Sequence, residues 1–344
     1  MNIAPPPNNE FLSTSQAWFD IWLTAFGAEH SGIWRPSQSG NNVAIPYQLA
    51  ERHIGPVMIK IAKGASNSHT PRYDVVGELH DPRMLAQMMS NLHVDMLEFP
   101  YVSLNSRLIQ ALHRQPAGVM HQLSPCESAP CVNCGTSWDD YWQSRGKSRT
   151  EWNRRERRLM EDRHARFVCF TEWRDVEPLF TDILKIEASG WKGRQGSAIN
   201  QHQDTLSFYT QSVRDWAERG MLRVFILFLE EVPVAFELDA EINGVLNCVK
   251  HGYLEDYAKL GPGQVLRTQV LRWAFANPKV KVFDMFGPAT ESKLKWATGA
   301  ENLYTLRVFR RSARGLLAWL RWVTAPYLKS RLTKIRGARQ PQLD

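Results

Sequence analysis

No stretch of this 344-residue chain approaches the roughly 18 consecutive apolar residues that a membrane-spanning helix needs. Met1 to Pro7 has neither a basic start nor an apolar core, so it does not read as a signal peptide and a cytoplasmic protein is expected. Cysteine is scarce and odd in number, five in all, which argues against a disulfide framework. Cys126, Cys131 and Cys134 lie close enough to raise zinc. Only Cys131 and Cys134 have Cys-x-x-Cys spacing, no second pair answers them, and His121 would have to complete the shell, so buried or loop thiols are the expectation and no metal is assigned. Acid is missing from 302–343, where ten Lys or Arg stand unopposed; the net charge of +7 therefore belongs to the tail, and the rest of the chain is mildly acidic. Low hydrophobicity is absent too: 43% apolar residues with 13 Trp and 15 Phe exclude a disordered chain and suffice for sizeable cores.

What is present is an alternation of helical and extended signals, and hence a mixed α/β fold. Ser13 to Ser15 precede Trp18, Phe19, Trp22 and Phe26 at helical spacing, with Gly27 as the stop. Strands are expected over 43–49, 56–62 and 96–99, and helices over 82–92 and 103–113. A loop rich in Pro, Cys and Ser over 124–137 marks the expected boundary between two domains. Helical residues 138–163 carry many arginines, but Glu151, Glu156, Glu161 and Asp162 are interleaved, which points to pairing on a helix face and away from nucleic acid.

The stretch from Arg223 to Trp296 carries the functional signal. Three apolar runs (222–229, 232–239, 245–251) lead to Lys259, Gly261, Pro262 and Gly263, then to a helix ending near Ala276 and a strand ending at Asp284. A strand that passes through a glycine-bearing turn into a helix N-terminus aims backbone N–H groups at its ligand, and the helix dipole favours phosphate. The bland alternative is an ordinary loop-to-helix turn.

Four segments in this order resemble the GNAT acetyltransferase superfamily, and within it the two-lobed CelD-type, BioF-like branch associated with cellulose and exopolysaccharide biosynthesis. They are Glu187 to Gly193, Tyr253 to Gly263, Phe283 to Gly287 and Lys293 to Trp296; Thr14 to Trp22 fits the same branch. Leu294 to Gly299 is also similar to a motif of the Fem-type aminoacyltransferases. The resemblance implies two tandem GNAT-like lobes, each a mostly antiparallel mixed sheet flanked by helices. The corresponding division is an N-terminal lobe over 1–135, basic connecting helices over 136–164, a C-terminal acyltransferase lobe over 165–312 and a basic amphipathic tail over 313–344. The phosphate turn departs from the superfamily pattern: it lacks a leading Gln or Arg, and Pro262 removes one amide donor.

His251, ending the third apolar run, is the candidate base, with Asp284 and Glu187 as further catalytic candidates and Glu237 and Asp239 as carboxylate alternatives. Strict strand alternation would put Asn247, Val249 and His251 on one face, and Cys248 and Lys250 on the other. Lys259, Gly261, Gly263 and Gln264 are the expected cofactor contacts. Trp191 and Lys192, on a mobile loop between glycines, and Lys295 and Trp296 are the expected substrate contacts. The function implied is transfer from acetyl-CoA or another acyl-CoA to an amine or hydroxyl, on a small molecule, saccharide or envelope precursor. A Fem-like enzyme using aminoacyl-tRNA and a non-catalytic membrane adaptor are the alternatives. Residues 315–336 place Leu316, Leu317, Trp319, Leu320 and Trp322 among basic residues, which implies contact with anionic membrane at its inner face, or else packing onto the domain.

Overall fold

The computed structural model describes residues 11–27, 29–36, 42–114 and 119–325, with Trp191 and Lys192 described by backbone only. In chain order, α1 (Gln16–Phe26) precedes β1 (Ser31–Trp34), β2 (Ile45–Ile54) and β3 (Val57–Gly64). Then come α2 (Arg83–Asn91), β4 (Met96–Ser103), α3 (Arg107–Arg114), β5 (Met120–Asn133), α4 (Trp138–Ser144) and α5 (Lys147–Met160). Next are β6 (Arg166–Phe170), α6 (Trp173–Ala188), α7 (Trp191–Arg194), α8 (Gln203–Glu218), β7 (Leu222–Leu229), β8 (Val232–Ile242) and β9 (Val245–Tyr253). The chain continues with α9 (Pro262–Ala276), β10 (Val282–Asp284), α10 (Glu291–Trp296), β11 (Gly299–Phe309) and α11 (Ala313–Trp319). The fold is mixed α/β.

Packing divides the chain into two units that do not follow chain order. Among the described residues, unit 1 joins those up to Phe26 with Glu127–Asn302, and unit 2 joins those of Gly27–Cys126 with those from Leu303 to Ala325. Helix α1, whose residues read as part of the N-terminal lobe, thus belongs to unit 1, where Trp18 meets the Phe208 ring edge-on at 5.0 Å. Its N-terminus is capped by Ser15, whose hydroxyl accepts from the Trp18 amide at 3.2 Å.

Within unit 1 the strands run in the order β5-β10-β9-β8-β7-β6. All neighbours are antiparallel except the parallel pair β10 and β9. The central strands carry long apolar runs because both faces are covered: Val224 to Phe228 and Val234 to Phe236 are buried, with Glu237 and Asp239 buried beyond them on β8. Helix α9 packs on β7, β8 and β9 through Val265, Leu266, Val270, Leu271 and Ala274. In unit 2 the order is β1-β2-β3-β4-β11, with β3 and β4 parallel. There Ala318, Trp319, Trp322 and Val323 pack with Ile59, Ile61, Met96 and Phe309. The start of the tail therefore packs onto unit 2, while Pro326 and the rest of the expected amphipathic helix lie outside the described residues.

Two expectations are corrected, on the Pro- and Cys-rich segment and on Trp191 and Lys192. The segment expected as a loop over 124–137 is irregular only over 134–137: β5 runs through Asn133 and pairs Cys131, Val132 and Asn133 with Asp284, Phe283 and Val282. Ladder pairing there outweighs the turn-forming composition. The basic helices expected over 136–164 are α4 and α5, separated at Gly146, whose φ of 54° is open to glycine but costly to other residues. Trp191 and Lys192 form α7, one helical turn, rather than a loop.

Candidate functional site

The site begins with a break in strand register. Strands β8 and β9 pair Glu237 with His251 and Leu238 with Lys250, but the next pair is Asp239 with Cys248. Val249 is the extra residue of a β-bulge. Bulges redirect side chains, and this one places Cys248 on the same face as His251. The Cys248 Sγ lies 3.9 Å from His251 Nδ1. The alternation expected from the sequence, which separated these two residues, is therefore corrected by one inserted residue.

Behind His251 lies a buried charged cluster. Arg267 from α9 donates through Nε to Glu237 at 2.6 Å and through Nη2 to the Cys248 sulfur at 3.1 Å, and its guanidinium sits 4.9 Å from the Phe283 ring. Asp239 is fully buried, and neither of its oxygens has a hydrogen-bond partner. Burial, then the adjacent Glu237, pushes its carboxyl well above the ordinary aspartate value. Burial likewise raises Glu237 and the Cys248 thiol. Glu237, Asp239 and Cys248 form the one described group of three potential metal ligands, their donor atoms within 4.8 Å of one another. Arg267 already takes up Glu237 and Cys248, so a second cation there would meet a fixed positive charge. Of the cysteines first weighed as zinc ligands, Cys126 is exposed while Cys131 and Cys134 are buried. Burial pushes the Cys134 thiol up to about 12, which disfavours the thiolate that zinc requires.

A cavity of about 360 Å³ opens beside this cluster. Its walls include Glu237, His251 and Tyr253 from β8 and β9, Gly261 to Gln264 and Arg267 from the α9 entry, Arg155 from α5, and Lys293 and Trp296 from α10. Gly261 takes a left-handed conformation (φ 70°, ψ 42°) and Pro262 opens α9, where its fixed φ suits the first helical position. The glycine at 263 is needed for space, since a Cβ there would lie 2.9 Å from the Tyr253 ring. Lys293 donates to the carbonyls of Phe286 at 3.0 Å and Pro288 at 3.2 Å, and burial pulls its ammonium below the ordinary lysine value. Trp296 is buried in a parallel stack on Trp152, with centroids 3.6 Å apart.

Of the residues singled out from sequence, the cavity gathers His251, Gly261, Gly263, Gln264 and Trp296. It also includes Glu237, one of the carboxylate alternatives, while Asp284, Glu187, Lys259 and Lys295 are not on its walls and the side chains of Trp191 and Lys192 lie outside the described residues. Asp284 is buried at the end of β10, where its Oδ1 accepts from the Phe286 amide at 2.7 Å and shapes the following turn. Glu187 is buried at the end of α6 and accepts from the Ile199 amide at 2.9 Å, fastening the segment after α7. Lys259 is exposed. Lys295 is exposed and paired with Glu291 at 3.1 Å, one helical turn away. Sequence reasoning missed Arg155, Arg267 and Lys293. Arg155 sits in a run that reads as a solvated helix face, and Lys293 lies two residues before the pair chosen on α10.

Strand β9 and the glycine turn that leads from it into α9 lie within a stretch that matches a known domain family. Residues 146–294 match the family model described as an acetyltransferase (GNAT) domain. No curated relative matches the chain. Among solved structures, FemX is similar at 9% identity with a TM-score of 0.53, covering 87% of this chain and 92% of that one. The C-terminal domain of a putative lysylphosphatidylglycerol synthetase from Agrobacterium fabrum is similar at 14% identity, TM-score 0.52, covering 87% and 90%. L-PGS from Bacillus licheniformis is similar at 13% identity, TM-score 0.51, covering 98% and 99%. At these identities the likeness is one of fold.

Proposed function

We propose that this protein is an acyltransferase that moves an acyl group from an activated donor directly onto an amine or hydroxyl held in the cavity beside His251. The observation that carries this reading is the cavity itself: it joins a histidine, a half-buried lysine and the N-terminus of α9 within the stretch that matches the GNAT domain. The acceptor nitrogen or oxygen attacks the donor carbonyl while His251 takes its proton, through Nε2, since Nδ1 faces the Cys248 thiol. Lys293 and the helix dipole stabilise the negative charge that builds on the carbonyl oxygen. The tetrahedral species collapses, the donor's sulfur or oxygen leaves, and the proton held by His251 passes to it.

The first donor to test is acetyl-CoA or a longer acyl-CoA. A titration series that raises Tm for one chain length identifies the donor; no shift with any acyl-CoA removes this donor class. An aminoacyl-tRNA donor is the second reading, and it is favoured by the α9 entry. Pro262 lacks an N–H, and the Gln264 amide already donates to the Gly261 carbonyl at 3.0 Å, so few amides are left to cradle a diphosphate. Aminoacyl transfer from charged tRNA, in the absence of any acyl-CoA effect, would establish it.

A saccharide or envelope-precursor acceptor would fit contact with an anionic membrane. Leu316 and Leu320 are 50% and 44% exposed beside Arg314 and Arg321, which supports that contact. Among the described residues no helix is long and apolar enough to cross a membrane. Deleting 315–344 should abolish binding to anionic vesicles; undiminished binding would rule the idea out.

A further inference from the structure

The α9 entry poses a charge problem. Its backbone is poor in available donors: Pro262 has none, and the amides of Gln264 and Val265 both donate to the Gly261 carbonyl, at 3.0 and 3.1 Å. Two of the cations on the cavity wall are occupied. Arg267 is held by Glu237 and Cys248, and Lys293 spends two of its three N–H donors on backbone carbonyls, which leaves one for the acyl carbonyl oxygen and none for a phosphate. A phosphate-bearing donor arriving at this turn needs positive charge from elsewhere.

Arg155 stands at that point. It reaches from α5 across the turn so closely that a Cβ at position 261 would lie 2.5 Å from its Nη1, and its guanidinium donates to the Gln264 side chain. Its Nε donates to Glu151 at 2.6 Å, and Glu151 is shared with Arg154 at 2.9 Å. Two guanidinium groups on one carboxylate leave a net positive charge at the cavity wall. Of the five N–H donors of Arg155, two serve Glu151 and Gln264, and three are left for the oxygens of an anion.

We infer that Arg155 is the phosphate-recognition residue of the donor site. The positive charge that a helix N-terminus rich in free amides would offer is supplied here by a side chain of α5, with Gln264 holding it in position. This rests on the transferase reading, and the ligand chemistry is a phosphate of the acyl donor, either a coenzyme diphosphate or a phosphodiester at the end of a nucleic acid. It also accounts for the glycine at 261, because any side chain there would displace the guanidinium.

The test is binding to the full chain by calorimetry, with coenzyme A, phosphate-free S-acetylpantetheine and a single-stranded oligonucleotide ending in CCA as probes. Arg155→Ala should weaken the phosphate-bearing probe by roughly 10- to 100-fold, the range of a charge-assisted contact. It should also lower the salt dependence of binding by about one charge and leave S-acetylpantetheine unchanged. Arg155→Lys should recover part of the loss, Arg154→Ala should weaken binding less than Arg155→Ala by freeing Glu151 to offset Arg155, and Arg158→Ala, at an exposed position outside the cluster, should behave as wild type. Coenzyme A affected alone assigns a coenzyme donor, and the oligonucleotide affected alone assigns a nucleic-acid donor; either supports the inference. Wild-type affinity and salt dependence in Arg155→Ala would overturn it, as would failure of the wild-type chain to bind either phosphate probe. Binding of S-acetylpantetheine, or acyl transfer, would in those cases keep the transferase reading alive.

Discussion

Each unit of this protein buries carboxylates in its sheet, and they are neutralised in opposite ways. In unit 2, Glu98 on β4 is 5% exposed and receives two arginines, Arg307 at 2.8 Å and Arg52 at 3.3 Å. In unit 1, Glu237, Asp239 and Cys248 share the single cation Arg267, and Asp239 has no hydrogen-bond partner at all. A surplus of cation around one acid is a structural arrangement. A surplus of acid around one cation leaves groups whose proton affinity is strongly raised, and that pattern collects at functional sites. The unit with the shortage of positive charge is also the one whose cavity includes Glu237, His251 and Arg267.

The largest effect should come from removing the lone cation. Arg267→Met strands Glu237 and Cys248 in the interior and should cost about 3–5 kcal/mol in urea unfolding, the range for breaking a buried pair. A loss below about 1 kcal/mol would show that the cluster is already neutral. Next, His251→Ala should lower turnover roughly 100- to 10,000-fold with little change in donor affinity, as expected for loss of a general base; unchanged turnover removes His251 from the chemistry. Glu98→Gln should be milder, about 1–2 kcal/mol, because Arg52 is 42% exposed and can rehydrate. A cost equal to that of Arg267→Met would erase the contrast between the units.

The smallest and most diagnostic change is Asp239→Asn. With its carboxyl raised by burial and by Glu237, the native state keeps a proton that the unfolded chain gives up near pH 3.8. Wild-type stability should therefore fall as pH rises above that value, through to the raised native value. Asp239→Asn should flatten this slope while shifting stability at low pH by less than about 1 kcal/mol. An unaltered pH profile would mean that the proton is held elsewhere.

Much of the fold was legible because its signals are local. The apolar runs of β7 to β9, the Gly261-Pro262-Gly263 stop and start, and the spacing of α1 and α9 fix the elements through burial and backbone geometry alone. His251, Gly261, Gly263, Gln264 and Trp296 were legible as a group for the same reason, since each lies at the end of such an element. The strand at 120–133 was not, because its residues look like turn formers and only pairing with β10 makes them extended. Arg155 was hidden because an arginine among glutamates on a helix has the same local pattern whether it meets solvent or a glycine turn 106 positions further on.

The apolar runs of β7 to β9, the glycine turn and the concentration of charge in the tail were set by sequence alone, since each depends on neighbours within a few residues. The bulge at Val249, the pairing of Arg267 with Glu237 and the reach of Arg155 to Gly261 were decided only by tertiary structure. Their energies arise between residues far apart in the chain, and one inserted residue in a strand pairing reverses which side chains share a face.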